Sequence, residues 1–209
     1  MHITSYCSSP LAQSSWPAAK VQDLAKAMGL ASQTHGPYPR KISGTTYLSH
    51  PILAAGITLK TGGTPRAATI ALLHDVVEEG GPMALETLQS QFDPEICHAV
   101  TYMTPGGRDG MDWKQRKLAS LHRMANAPDT DIAMAFASDK AATLLELEWD
   151  CAHMGHSMAL KSLRDGDQLL WYYQSCVAQL SNKVPQAMRS VLQQKLTWLT
   201  ARLKDQTAK

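Results

Sequence analysis

Two stretches of this chain are apolar on every side of a helix: Ile70 to Val77, but for one pair in its middle, and Ile132 to Ala137. A helix without a polar face belongs in the interior, so the rest of the chain has to wrap around two buried helices. The pair inside the first is His74-Asp75, and Asp139 follows the second just after Ser138. Leaving such groups buried and unsatisfied costs about 2–7 kcal/mol each. Either neighbouring side chains supply hydrogen bonds, or a cation does.

The remainder reads as helices too. Val21, Leu24, Ala25 and Met28 give one apolar helical face. The loop from His35 to Tyr47 carries prolines and glycines that rule out a long helix. Ser49-His50-Pro51 and Thr64-Pro65 open helices with proline in the first turn, the second running through His74-Asp75 to Gly80-Gly81. Asp93-Pro94 opens another, ending at Thr104. Longer helices are expected over about 111–126, 130–149, 166–181 and 186–204. The last carries a stripe of Met188, Val191, Leu192, Leu196, Leu199 and Leu203. With no alternating strand pattern and no linker, the expected fold class is all-α, with about eight to ten helices. Residues 1–15 read as a loose lead and 16–209 as a single domain.

Composition narrows the partners. A formal charge of +2 over 209 residues leaves no polybasic face, so neither nucleic acid nor an anionic membrane is implied. No apolar run approaches the roughly 18 residues of a membrane span, and the N-terminus lacks the basic start and apolar core of a secretory signal. Cys7, Cys97, Cys151 and Cys176 lie far apart, as reduced thiols of a cytoplasmic protein would. The expected partner is a small molecule, and any anion has to be gripped by local Lys and Arg.

Taken singly, each polar anomaly has an ordinary explanation. A buried His is most often hydrogen-bonded in the core, and Glu78-Glu79 before Gly80 can be the solvated end of a helix. Their coincidence points elsewhere. Glu78 and Glu79 follow His74 and Asp75 by one helical turn, and His50 opens an apolar helix. His50, His74, Asp75 and Asp139 together offer two imidazoles and two carboxylates, donors suited to Mn2+, Fe2+ or Zn2+. A cation so held lowers the pKa of water enough to make a phosphoryl-attacking nucleophile near neutral pH. Cys151, His153 and His156 fit no closed zinc pattern; a contact from His153 or His156 to a substrate phosphate is the better expectation. Trp171-Tyr172-Tyr173 reads as interhelical packing.

Arg40-Lys41, Gly44 to Tyr47, His50-Pro51, Ala71 to Glu79 and Ser138-Asp139-Lys140 occur in one order and at one set of spacings. Together they resemble the HD-domain phosphohydrolases, and more narrowly the RelA/SpoT hydrolase domain and the Mesh1-type small alarmone hydrolases, over roughly residues 20–180. The resemblance implies a compact helical HD-domain fold and a Mn2+ held by His50, His74, Asp75 and Asp139, with other divalent transition metals as substitutes. It implies that Glu78 and Glu79 act as the catalytic acidic pair. Arg40 and Lys41 would pack against the nucleotide base, and Arg116 and Lys117 would lie near the substrate phosphates, with Lys140 and Thr143 lining the same site. The implied reaction removes the 3′-pyrophosphate of (p)ppGpp.

The chain departs from that pattern in two places. The acidic pair is Glu78-Glu79 where the family has Glu-Asp, and Thr143 stands where the family has Asn near the sugar. An adenine alarmone, NADPH or a nucleoside monophosphate stays open as the substrate. A module that senses nucleotides without turning them over stays open as well.

Overall fold

The computed structural model describes residues 16–40, 42–105, 110–155 and 166–207, with side chains described as far as Lys204. The 1–15 lead, Lys41 and His156 lie outside the described residues. The described chain is all-α: α1 (Ala18–His35), α2 (Ser49–Lys60), α3 (Pro65–Leu73), α4 (Val76–Gln91), α5 (Pro94–Met103), α6 (Trp113–Ala125), α7 (Thr130–Met154), α8 (Gly166–Leu180) and α9 (Gln186–Thr207). One isolated bridge pairs Pro39 with Thr46 across the loop after α1. Among the described residues no helix is long and apolar enough to cross a membrane.

Four helix starts are set by local chemistry. Thr64, Asp93, Asp112 and Asp129 each accept a hydrogen bond from the backbone N–H three residues on, at 2.8–3.0 Å. Gln115 completes a capping box by returning its side chain to the Asp112 amide at 2.8 Å. Proline follows Thr64 and Asp93, where its missing N–H goes unmissed.

The two apolar helices take the centre, as their sequences require. Every residue of α3 from Ala67 to Leu73 is buried, and so is every residue of α7 from Ile132 to Ser138. α3 serves two cores at once. Ala67, Ile70 and Ala71 join a cluster with α7, α8 and α9, whereas Leu72 and Leu73 join a second with α1, α4 and α5. That double duty is why it has no polar side. Tyr172 and Tyr173 are buried, with Trp113 edge-on to Tyr172 at 6.2 Å.

Two expectations are corrected. The packed face of α1 is Ala27, Leu30 and Ala31 with Leu24 at its edge, while Val21, Ala25 and Met28 face outward. Ala27 and Ala31 are fully buried in the cluster that α1 shares with α3, α4 and α5. The helix expected to run through His74-Asp75 instead ends at Leu73 and restarts at Val76. Asp75 sits at φ −101°, ψ −4°, the bridge region. The His74 ring takes the Ala71 carbonyl at 2.7 Å, competing with the amide a continuous helix would place there.

The expected stop at Gly80-Gly81 is a kink within α4: Gly81 adopts φ 62°, ψ −151°. That region is open essentially to glycine alone. Gly81→Ala is expected to cost about 1–3 kcal/mol of stability, read as a lower denaturation midpoint at an unchanged denaturant slope.

Candidate metal centre and substrate cleft

Three elements converge on one point. His50 comes from the first turn of α2, His74 from the end of α3 and Asp139 from the middle of α7, and one ligand atom from each lies within 4.8 Å of the others. His50 Nε2 stands 3.4 Å and His74 Nε2 3.8 Å from Asp139 Oδ1. The two rings meet edge-on at 5.2 Å. Both histidines are almost fully buried, at 3% and 4% exposed.

Their partners choose the tautomers. The Ala71 carbonyl can only accept, so His74 Nδ1 carries the proton and donates to it at 2.7 Å. His50 Nδ1 lies 2.9 Å from the Glu146 carboxylate and donates in the same way. The Nε2 atoms therefore face carboxylates, His50 Nε2 that of Asp139 and His74 Nε2 those of Asp75 and Asp139. His74 Nε2 is buried without a hydrogen-bond partner. An orphaned imidazole nitrogen aimed at a carboxylate oxygen and a second imidazole is a site that a divalent cation satisfies. The donor set fits the metal expected there, and each ligating ring has an outer partner of the kind metal-bound histidines carry.

The electrostatics call for a positive charge at this point. Burial opposes protonation of His50 and His74, but the carboxylates outweigh it. His50 is raised by Asp139 and Glu146, and His74 is raised to about 9, chiefly by Asp75. Burial likewise opposes charge on Asp75 and Asp139, yet His74 holds the first and Lys140 with His50 the second below the usual carboxylate range.

Asp75, expected as a fourth ligand, stands beside this tight group. Its Oδ2 is 3.1 Å from His74 Nε2 and accepts the Tyr47 hydroxyl at 2.8 Å. Lys140, expected on the substrate, lines the cleft above the cluster and places its ammonium 2.5 Å from Asp139 Oδ2. Thr143 gives its hydroxyl to the Asp139 carbonyl at 2.9 Å.

A cleft of about 280 Å³ opens over the cluster. Arg40, Arg116, Lys117, Arg123 and Lys140 line it, a cationic wall facing the carboxylates Asp75, Glu78 and Asp139. Lys117 lies over the Tyr172 ring at 4.5 Å and near Trp113 at 5.7 Å; burial and the neighbouring Lys140 lower its pKa to about 8. Such a wall suits a ligand with several phosphate charges. Glu78 lines the cleft, half-buried; Glu79 is exposed and does not line it.

Beside it lies a cavity of about 850 Å³ between the loop after α1, α2 and α7. Leu48, Ile52, Leu53, Trp149 and Met154 make its apolar walls. His153 lines this cavity, with its Nδ1 proton on the Trp149 carbonyl at 2.7 Å. Arg40 borders both spaces. Its guanidinium lies over the Tyr47 ring at 5.2 Å and donates to Glu146 at 2.6 Å.

Sequence reasoning assigned no role to Glu146, Tyr47 or Arg123. Glu146 lies seven residues after Asp139, two turns along the same helical face. That spacing was the available signal.

The all-α fold is similar to that of a solved metazoan ortholog of SpoT that hydrolyzes ppGpp and plays a role in starvation responses. The two superpose with a TM-score of 0.68 at 20% identity, over 88% of this chain and 97% of that one. A solved Listeria monocytogenes EGD-e protein matches with a TM-score of 0.60 at 18% identity, over 72% of this chain and 97% of that one. In sequence, the chain is 35% identical over 89 residues to a probable GTP pyrophosphokinase of Mycobacterium leprae (strain TN), which is 43% of this chain and 11% of that protein. It is 31% identical over 81 residues to a probable guanosine-3′,5′-bis(diphosphate) 3′-pyrophosphohydrolase of Synechocystis sp., which is 39% of this chain and 10% of that protein. The chain thus matches about a tenth of the length of these curated relatives. No family model matches the sequence.

Proposed function

We propose that the protein is a divalent-metal-dependent hydrolase that removes the 3′-pyrophosphate of (p)ppGpp-like alarmones, with Mn2+ as the metal. The observation that carries this reading is His74 Nε2, buried without a hydrogen-bond partner and aimed at Asp139 and His50 beneath a cationic cleft. The likeness in fold to the metazoan SpoT ortholog and the partial likeness to a probable ppGpp 3′-pyrophosphohydrolase support the choice of substrate.

His50, His74 and Asp139 would hold the cation, with Asp75 beside them. When bound, it supplies Lewis acidity, polarising a phosphoryl oxygen and lowering the pKa of water. Arg116, Lys117 and Arg123 grip the pyrophosphate. Glu78 takes the proton from the attacking water. The water oxygen bonds to the phosphorus attached at the 3′ oxygen, the bond from that phosphorus to the 3′ oxygen breaks, and the departing 3′ oxygen takes up the proton that Glu78 removed, so that pyrophosphate leaves the nucleotide with a 3′ hydroxyl. Arg40 lies between the phosphate cleft and the apolar cavity, where a planar base can stack on its guanidinium.

Purified protein with Mn2+ is expected to release pyrophosphate from ppGpp and to stop when EDTA is added. Orthophosphate from a nucleoside monophosphate would instead identify a phosphatase. A nucleotide-sensing module without turnover is the second reading. Lys140 favours it, because an ammonium 2.5 Å from Asp139 already supplies that carboxylate with a positive partner. Binding of ppGpp without product release would select it.

Arg40→Ala is expected to raise KM by about 3–30-fold, the worth of a stacked guanidinium, and to lower kcat less. Steady-state kinetics on ppGpp read the split; an unchanged KM with a collapsed kcat would move Arg40 to the reacting phosphates.

A further inference from the structure

Glu146 lines the apolar cavity, and one of its oxygens does two jobs. Oε2 accepts from Arg40 at 2.6 Å and from His50 Nδ1 at 2.9 Å. The side chain is only 12% exposed, so water does little to screen either contact. Arg40 borders both spaces, where an arriving nucleotide competes for its guanidinium. His50 turns its other nitrogen to Asp139. The two donors share a single acceptor atom, so what Arg40 takes of its charge is withheld from His50.

We propose that Glu146 is a positioning residue that links nucleotide binding at Arg40 to cation affinity at His50. A ligand that draws the guanidinium away leaves the carboxylate charge to the His50 Nδ1 proton. An imidazole whose Nδ1 proton is held by a fuller carboxylate is a stronger donor at Nε2. Occupancy at Arg40 therefore tightens the cation, and by reciprocity the cation tightens the nucleotide. The linkage rests on the reading of His50 as a metal ligand.

The relation has a sign that simple scaffolding lacks. Losing Glu146 weakens the cation, while losing Arg40 strengthens it, although the two side chains are bonded to each other. Arg40 also repels a cation through space, and a double-mutant cycle separates the two routes. Through Glu146, the Arg40 effect vanishes once Glu146 is neutralised; through space, it persists.

The test is Mn2+ affinity, measured by competition with a chelating fluorophore on the full chain, for wild type, E146Q, R40A and R40A/E146Q. Far-UV circular dichroism and Tm are recorded on each preparation. E146Q is expected to weaken Mn2+ by about 10–100-fold, R40A to tighten it several-fold, and R40A to change nothing in the E146Q background. Glu146→Asp keeps the charge on a shorter arm and is expected to fall between wild type and E146Q; it carries the test should E146Q fail to fold. Weaker Mn2+ binding in R40A, or an R40A effect that survives in E146Q, overturns the linkage. Wild type that binds Mn2+ with the same affinity as E146Q overturns it as well, while leaving the metal reading intact. Wild type that binds no Mn2+ overturns the metal reading and the linkage with it.

Discussion

His74→Ala is expected to abolish cation binding and hydrolysis together. His74 is buried, its Nδ1 proton is held by Ala71, and its Nε2 has no hydrogen-bond partner. Alanine removes the ligand and also the partner that stands 3.1 Å from Asp75 Oδ2, so Tm and far-UV circular dichroism have to be recorded beside metal content. Outer partners of metal ligands are worth 10–100-fold, and a direct ligand should cost more than about 10²-fold in kcat/KM. The same loss appears without any substrate. A cation at 100 times its Kd stabilises a folded protein by about 2.7 kcal/mol, so wild type should show a Mn2+-dependent rise in Tm that His74→Ala lacks. A variant that keeps one tightly bound equivalent by elemental analysis would remove His74 from the site.

Asp139 needs a gentler substitution. Its carboxylate is the partner of Lys140, whose side chain is 14% exposed. Asp139→Ala would strand that ammonium, at a cost of about 3–5 kcal/mol, and confuse unfolding with lost binding. Asp139→Asn keeps the shape and one acceptor oxygen and is expected to lose the cation with less damage to the fold.

Glu78→Gln is expected to lower kcat by about 10²–10⁴-fold with metal content unchanged. Glu78 lines the cleft but is no member of the three-residue ligand cluster, so it can act on a water's proton without holding the ion. Glutamine retains its length and hydrogen-bonding capacity while removing the group that accepts a proton. Glu79 is exposed and outside the cleft lining, so Glu79→Gln is expected to stay near wild type. Metal stoichiometry and kcat have to come from the same preparation. Near-normal turnover in Glu78→Gln would make that helix end a solvated terminus and nothing more.

The sequence by itself determined the all-α class, four helix starts and which helices are central. These are local matters. A Thr or Asp three residues before a free backbone N–H caps it in whatever tertiary setting follows, and a helix that is apolar all round has to be buried. The same logic made His50, His74 and Asp139 visible, because ligand-type residues in apolar surroundings are anomalies in any fold. Tertiary structure decided what periodicity leaves degenerate. α1 carries apolar residues on more than one side, and only the packing of α3, α4 and α5 against it selects Ala27, Leu30 and Ala31 over Val21 and Met28. The break between α3 and α4 arises because the His74 ring claims the Ala71 carbonyl. Glu78 and Glu79, neighbours in α4, point about 100° apart, and only the packing of α4 decides that Glu78 meets the cleft while Glu79 faces solvent. Glu146 joins Arg40 to His50 across 106 and 96 residues of chain. No local pattern encodes such pairings; they exist only once α2 and α7 have packed side by side.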